Sequence, residues 1–221
     1  MEWVLGNFIY RGKRFLCWHF DACNEAVTEA ENSAELCQGV RAEELPETAT
    51  EEIGAVLWLE AAEACLHWLE RSRSSYRGWN VLELGAGCGF VGLALATDGA
   101  QVTITDVAAL LPLLERNASV SREHGGRVSA AVLDWGQQVP AHLRPDFDLV
   151  VGCDLLYDSA SPADLARMVD FFVTGNTEFR LSVNLRDHGT GLEALMGLLE
   201  PKFICSVTQV PGVSLLFAQR R

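Results

Sequence analysis

The sequence is poor in basic residues, with 17 Lys and Arg against 30 Asp and Glu among 221 residues. The formal net charge is −13. A nucleic-acid-binding surface needs clustered Lys and Arg to neutralise phosphates, and the sequence contains no such cluster. Nucleic acid is therefore disfavoured as the main ligand, whereas the acidic balance is compatible with a basic protein or peptide partner.

Long apolar runs are also missing. No run reaches the roughly 20 residues that span a membrane, and the opening MEWVLGNFIYRGKRF lacks the charged-then-apolar layout of a signal peptide. Hydrophobic residues make up 49% of the chain, enough to bury a sizeable core. We therefore expect a globular protein of the cytoplasm, with the nucleus as an alternative.

The seven cysteines form no C-x-x-C pair. Most lie within apolar patterns, where cysteine acts as a small core residue in a reducing compartment. Cys17, His19 and Cys23 are close in sequence, but their spacing matches no common zinc pattern. We expect no metal site.

The N-terminal part is distinct in composition. Two short apolar and aromatic runs within residues 3–20, separated by RGKR, predict a β-hairpin. Residues 21–52 then hold ten acidic residues and one basic residue. This stretch has two interpretations, a solvated connection or an acidic lip that attracts a basic substrate. Residues 1–52 are expected to form a hairpin and connection, and residues 53–221 the main domain.

The main domain alternates strand and helix patterns. Apolar residues at helical spacing predict a helix over 53–70. Strands are predicted at 80–85, 101–106, 127–135, 147–154, 179–185, 202–209 and 213–219, and helices at 88–98, 107–117, 161–172 and 190–200. This alternation predicts a doubly wound α/β fold. The last two strands are joined too tightly for a crossover helix, so they should form an antiparallel hairpin at one sheet edge.

A glycine-rich loop follows the first strand of this domain, in VLELGAGCGFVGL (81–93). In open α/β sheets, ligands bind beyond the carboxyl ends of the strands, and glycine lets the backbone approach them closely. We therefore expect a nucleotide-like cofactor here. The NAD fingerprint G-x-G-x-x-G needs a third glycine where the chain has Phe90. The loop instead spaces its glycines as G-x-G-x-G, preceded by Glu83.

Carboxylates close the next two strands. Asp106 stands where an acid can accept both ribose hydroxyls, and its alternative role is a helix cap. Asp134 can accept from an adenine amino group, and Trp135 can pack against the purine. Core packing is the alternative for Trp135. These residues alone do not separate NAD from S-adenosylmethionine, because both contain adenosine.

A further carboxylate, Asp154, stands beyond the apolar strand FDLVVGC, three positions before Tyr157. A buried Asp without a basic partner is costly to leave unsatisfied. A functional role explains its position.

The motifs VLELGAGCGFVGL, VTITD, LDWG and FDLVVGCDLLYD together resemble methyltransferase family 16. This is a group of class I, seven-β-strand enzymes that contains many non-histone protein lysine methyltransferases. The resemblance covers residues 53–219. It implies S-adenosylmethionine as the cofactor, a protein substrate, and a Rossmann-like sheet that ends in an antiparallel hairpin.

The resemblance also assigns roles to individual residues. It implies that Glu83 and the glycine loop hold the methionine end of the cofactor, that Asp106 holds the ribose, and that Asp134 and Trp135 hold the adenine. The full implied cofactor site is Trp58, Glu83, Gly85, Ala86, Gly87, Gly89, Asp106, Asp134, Trp135 and Cys153. Asp154 and Tyr157 match the D-x-x-Y substrate motif of the family and are the implied catalytic pair.

The expected acceptor is a lysine ε-amine, which must be neutral to attack. Deprotonating it at pH 7 costs about 4.6 kcal/mol from a reference pKa near 10.4, and a desolvating channel beside a sulfonium lowers that cost. We expect Asp154 to accept a hydrogen bond from the amine and Tyr157 to shape the channel. Methyltransferases of adenine or amides typically have Pro-Pro-Tyr here, whereas this chain has Leu155 and Leu156.

Alternatives remain open at this point. The acceptor could be histidine, arginine or a small molecule, because one fold hosts many functions. A cofactor-binding adaptor without catalysis is a third hypothesis, and an intact D-x-x-Y motif speaks against it.

Overall fold

A computed structural model describes residues 2–21, 57, 59–156, 161–184 and 190–221. Its first element is the predicted hairpin, formed by β1 (Glu2–Tyr10) and β2 (Lys13–Asp21) in antiparallel register. The two-residue turn, Arg11-Gly12, has φ values of 50° and 72°. Positive φ at both central residues is the turn geometry that matches the twist of a tight hairpin.

The main domain is the predicted doubly wound sheet. Its strands are β3 (Asn80–Leu84), β4 (Gln101–Asp106), β5 (Arg127–Val132), β6 (Leu149–Cys153), β7 (Glu178–Asn184), β8 (Phe203–Val210) and β9 (Val213–Arg220). They lie in the order β5-β4-β3-β6-β7-β9-β8. Strand β9 runs antiparallel to β7 and β8, and the other pairs are parallel. The class I architecture and its antiparallel terminal hairpin are confirmed.

Helices cover both faces of the sheet. They are α1 (Leu59–Ser72), α2 (Phe90–Thr97), α3 (Leu111–Glu123), α4 (Pro162–Phe172) and α5 (Thr190–Leu199), with a short 3-10 helix at Ala108–Leu110. Alternate residues of a strand point to opposite faces, so Val81 packs with α1, α2 and α3, whereas Leu82 packs with α4 and α5. Both faces are apolar, as expected for a covered parallel sheet.

Several predicted boundaries differ from the structure, including that of the helix expected over 53–70, which is α1 and begins at Leu59 and ends at Ser72. Two further differences have a clear physical reason. The strand expected over 127–135 ends at Val132, because Asp134 then turns the chain: its Oδ1 accepts a hydrogen bond from Gly136 N over 2.8 Å. The helix expected over 107–117 begins as a 3-10 turn and continues to Glu123, with Pro112 in the first turn of α3. Proline lacks an amide hydrogen, so it is tolerated only at a helix start.

The hairpin packs directly on the main domain. Phe8 and Phe15 meet the ring of Phe90 with centroid distances of 4.7 and 5.1 Å. Phe90, which breaks the NAD fingerprint, therefore packs against aromatic rings of both strands of the hairpin. At the turn, the guanidinium of Arg11 donates to backbone carbonyls at the end of α1, including that of Glu70 at 3.2 Å. A cation is favourable at a helix C-terminus.

The predicted division of the chain between residues 52 and 53 lies outside the described residues. Within the described ranges, no helix is long and apolar enough to cross a membrane. The same ranges contain no group of three or more His, Cys, Asp or Glu that could hold a metal ion.

Candidate functional site

The sheet gathers the predicted site residues at one edge, the carboxyl ends of its parallel strands. In the order of the strands, Asp134 follows β5, Asp106 ends β4, Gly85 follows β3, Asp154 follows β6 and Asn184 ends β7. Neighbouring strands lie about 4.8 Å apart. Residues far apart in sequence therefore form one continuous row.

The backbone conformation and the packing of the protein, even without a ligand, require glycine in this loop. Gly85, Gly87 and Gly89 have φ values of 54°, 58° and 81°, a region that favours glycine. A Cβ on Gly85 would lie 2.6 Å from Leu155 Cδ2 and 3.1 Å from Trp135 Cζ2. The sequence led us to expect that glycine makes room for a ligand. At Gly85 the space is filled by two side chains of this chain.

Glu83 lies beneath the loop and is only 2% exposed. Its Oε2 accepts a hydrogen bond from Gly92 N, in α2, over 2.8 Å. Burial raises the pKa of the Glu83 carboxyl to about 8, against the opposing effect of backbone hydrogen bonds from Gly92 and Val91. One oxygen of the Glu83 carboxyl is thus directed at the start of α2, and the expected role of Glu83 at the methionine end of the cofactor stays a prediction. The carboxyl supports the junction between the loop and α2.

Gly92 is a site residue that the sequence did not reveal. A Cβ there would lie 2.6 Å from Glu83 Oε2. In the sequence it is one more small residue in an apolar helix. The structure shows why a side chain cannot be accommodated, because Ile104 Cγ2 would also lie 2.7 Å from this Cβ.

Asp106 joins β4 to the loop. Its Oδ2 accepts from Gly87 N and its Oδ1 from Val107 N, both over 2.7 Å. Next to it, Ala86 N donates to Thr105 O over 2.9 Å. The N-cap of the 3-10 helix is Val107, and that helix has no side-chain cap hydrogen bond, so Asp106 does not occupy the helix-cap position considered as its alternative role. A carboxylate offers about four acceptor sites, so the hydrogen bonds from these amides are compatible with a ribose contact.

The next pair, Asp134 and Trp135, also stands at this edge. Asp134 is exposed, and one of its oxygens accepts from Gly136 N. Trp135 is half-buried, packs against the apolar cluster under α4 and α5, and lies close to Gly85. Trp135 therefore packs against the core, and its expected role against the adenine stays a prediction.

Asp154 has an unusual backbone for a residue other than glycine, with φ at 54°. Its amide donates to Ser182 O over 2.7 Å, which continues the pairing of β6 with β7. Its carboxylate accepts twice from one residue, Asn184: from the backbone N at 3.1 Å and from Nδ2 at 3.3 Å. Asn184 was not identified from the sequence. The sequence feature that could have pointed to Asn184 is a polar side chain at the end of a strand, and that strand lies next to the one that Asp154 follows.

Two predicted site residues, Trp58 and Tyr157, lie outside the described residues, as does the segment 185–189. Cys153 is half-buried at the end of β6, and burial raises the pKa of its thiol well above the usual value. It is therefore a neutral side chain of the kind expected for a cofactor wall.

Hydrogen bonds among buried polar groups connect the glycine loop to α3 and to the hairpin. Asn117, in α3, is fully buried and donates from Nδ2 to Cys88 O over 2.7 Å. The same nitrogen lies 3.7 Å from Cys17 Sγ, and that thiol lies 3.6 Å from Cys88 O. The hairpin, α3 and the glycine loop meet at this point. The only sequence signal was an asparagine on an apolar helix face.

Comparison with known proteins gives consistent results. A family model described as lysine methyltransferase matches residues 41–193. The chain is 34% identical to protein N-lysine methyltransferase METTL21A of Mus musculus over 136 residues, covering 61% of this chain and 62% of that protein. It is 37% identical to EEF1A lysine methyltransferase 3 of Mus musculus over 106 residues, covering 48% and 44%. The chain thus spans less than two thirds of the length of these relatives.

Solved structures show likeness of fold. The 16S rRNA methyltransferase RsmC of T. thermophilus, in complex with AdoMet and guanosine, has a TM-score of 0.64 at 18% identity. That match covers 100% of this chain and 51% of RsmC. Magnesium protoporphyrin IX methyltransferase of Synechocystis PCC 6803, with bound SAH, has a TM-score of 0.56 at 17% identity, covering 73% and 82%.

Proposed function

The chain belongs to the lysine methyltransferase family, and on that premise we propose that it transfers a methyl group from S-adenosylmethionine to the ε-amine of a lysine on a non-histone protein. The observation that carries the proposal is Asp154. Its carboxylate stands at the cofactor edge of the sheet, one strand from the glycine loop, and is held by two hydrogen bonds from Asn184.

The residues at the edge fit S-adenosylmethionine. Asp134 with Trp135, then Asp106, then the glycine loop follow one another across β5, β4 and β3. This order suits an adenine, a ribose and a methionine chain in sequence, with the acceptor site next, beside Asp154. When bound, the cofactor supplies an electrophilic methyl group on a sulfonium. The chain's own residues hold and orient the two reactants.

Asp154 acts as a hydrogen-bond acceptor for the incoming amine. An in-line displacement requires nitrogen, methyl carbon and sulfur to be aligned. A carboxylate that accepts an N–H of the amine directs the nitrogen lone pair away from itself, toward the methyl group. Leu155 is buried and Leu156 is half-buried beside it, and apolar surroundings favour the neutral amine over the ammonium.

The charge of the edge supports a basic substrate protein. Three carboxylates, those of Asp106, Asp134 and Asp154, lie along it, and the net charge of the whole chain is −13. A field of one sign raises the local concentration of oppositely charged partners and speeds association. Lysine-rich segments are the partners that such a surface attracts.

Amino-acid analysis of labelled protein tests the proposal. The purified chain is incubated with a cell extract and S-adenosylmethionine carrying a tritiated methyl group, and labelled protein is hydrolysed completely. The proposal predicts label in methyllysine, and none with Asp154→Ala. Label in methylhistidine or methylarginine would establish a different acceptor, and calorimetric cofactor binding without any label would favour an adaptor.

A further inference from the structure

Building on the proposed function, we propose that Asn184 is a positioning residue that fixes the orientation of the Asp154 carboxylate toward the acceptor amine. No role for Asn184 follows from the D-x-x-Y motif. The inference comes from three features of the structure: the backbone of Asp154, the two-point contact between the residues, and the anchoring of Asn184 in the sheet.

The backbone of Asp154 needs support from its surroundings. A φ of 54° lies in the left-handed region, which costs an L-residue roughly 1–2 kcal/mol. Asp tolerates this region better than most residues because its side chain can form local hydrogen bonds. Here the bonds come from the next strand: Ser182 O fixes the amide of Asp154, and Asn184 fixes its carboxylate.

Asn184 contacts the Asp154 carboxylate through two of its atoms. Its backbone N donates to Oδ1 of Asp154 and its side-chain Nδ2 donates to Oδ2. The terminal torsion of an aspartate is broad and roughly two-fold, so one hydrogen bond leaves the carboxylate plane variable. Two bonds, one on each oxygen, define that plane. A carboxylate only accepts, so the amide nitrogen of Asn184, and not its oxygen, must face it.

Asn184 itself is firmly anchored. It is the last residue of β7, a strand between β6 and β9, and it pairs with Val213 of β9. Site residues on sheet strands are placed more precisely than residues on loops. The position of Asn184 is therefore transmitted to Asp154, and a misplacement of about 1 Å in such a site can cost 10²-fold in rate.

The glycine loop lies two strands away from Asn184, so effects on the acceptor and effects on cofactor binding can be measured separately. It follows β3, and β6 lies between β3 and β7. A change at Asn184 should therefore alter the alignment of the acceptor, seen in kcat, and leave the affinity for S-adenosylmethionine unchanged. A residue with a merely structural role would lower thermal stability and cofactor affinity together with kcat.

The experiment compares Asn184→Asp, Asn184→Ala and the conservative Asn184→Gln with Asn176→Asp. Asn176 is exposed beyond the amino ends of the strands, so Asn176→Asp makes the same chemical change at the opposite edge of the sheet. The initial rate of methyl transfer to the cell extract, at saturating tritiated S-adenosylmethionine, gives the relative kcat, and calorimetry gives cofactor affinity. We expect kcat to fall about 100-fold for Asn184→Asp, whose carboxylate repels Asp154, and about 10-fold for Asn184→Ala. Asn184→Gln should recover part of the loss, and Asn176→Asp should match the wild type.

A double-mutant cycle tests whether Asn184 acts through Asp154. In an Asp154→Asn background, Asn184→Ala should lower the residual rate much less than it does in the wild type. An equal loss in both backgrounds would overturn the proposal, as would a wild-type kcat for Asn184→Asp. Parallel losses of kcat, cofactor affinity and melting temperature would also overturn it and make Asn184 a structural residue.

A measurement without turnover separates this inference from the proposed function. The side-chain NH₂ of Asn184 gives its own ¹⁵N–¹H signals, which should shift in Asp154→Ala protein that has no cofactor or substrate. If the wild type labels no lysine but these signals shift, the contact exists and the proposed function fails. If lysine is labelled and the signals do not move, only the role of Asn184 fails.

Discussion

The amide of Gly87 donates to Oδ2 of Asp106 over 2.7 Å, which joins the glycine loop to the end of the neighbouring strand. The residue that resembles the ribose-binding acid of the family therefore also shapes the loop that we expect to hold the other end of the cofactor. We expect cofactor affinity and loop structure both to depend on the Asp106 side chain. This dual role determines how variants at Asp106 should behave.

Asp106→Ala should lower affinity for S-adenosylmethionine at least about 10-fold and lower the free energy of unfolding by about 1–2 kcal/mol, since the amide of Gly87 loses its acceptor. Calorimetry and urea unfolding measure the two effects. Asp146→Ala is the matched control, because Asp146 is exposed and precedes β6 at the opposite end of the sheet. Equal affinities for the two variants would show that the lost charge, and not the position of Asp106, matters.

Gly85→Ala should destabilise the protein more than Gly175→Ala does. Both glycines have positive φ, 54° and 52°, but a Cβ at Gly85 meets Leu155 at 2.6 Å whereas nothing lies within 4 Å of one at Gly175. Backbone strain is shared by the two variants, so their difference isolates the clash, about 1–3 kcal/mol in free energy of unfolding. Equal losses in urea unfolding would mean that Leu155 moves aside without cost.

Glu83 makes stability depend on pH. Its folded pKa of about 8 lies above the ordinary value of 4.5, so the folded state holds the proton more tightly than the unfolded state. The stabilising contribution is complete below pH 4.5 and is lost as pH rises through 8, by at most about 1.4 kcal/mol per unit.

The matching variant is Glu83→Gln, which keeps an acceptor for Gly92 N but does not titrate. The unfolding free energy of wild type minus that of Glu83→Gln should fall between pH 5 and pH 8 in urea titrations. A difference that stays constant over this range would show that the Glu83 carboxyl has an ordinary pKa.

Asn117→Ala should lower the free energy of unfolding by about 1–3 kcal/mol, because it leaves the buried carbonyl of Cys88 without its amide donor. Cofactor affinity should fall as well, since Cys88 belongs to the glycine loop. Asn176→Ala, at an exposed position, is the control. Unchanged cofactor affinity in Asn117→Ala protein would show that the loop keeps its shape without this bond.

The sequence predicted the fold well because hydrophobic periodicity and the alternation of strands with helices are local patterns. Apolar strands alternating with helices predict a parallel sheet, and the acids that end those strands then share one edge. Asp106, Asp134 and Asp154 could be placed in this way. The strand predicted to reach residue 135 was too long, because the Asp134–Gly136 bond that turns the chain is not visible in hydrophobicity.

Contacts between side chains of different elements could not be predicted from the sequence. Residues from different elements meet in each of these contacts. Glu83 in β3 accepts a hydrogen bond from Gly92 in α2, where the absence of a side chain leaves space for it. Asn184 in β7 donates hydrogen bonds to Asp154, which follows β6. No local pattern encodes such pairs. The contact between Asn184 and Asp154 follows from sheet register, which puts the end of β7 beside the end of β6.

Transfer to an extract whose lysines have been blocked tests the central claim most directly. One portion of the extract is exhaustively acylated on its amines, a matched portion is left untreated, and both receive the purified chain with methyl-labelled S-adenosylmethionine. We predict labelled protein in the untreated portion, none in the acylated portion, and none in either with Asp154→Ala. Equal labelling of both portions would contradict lysine as the acceptor.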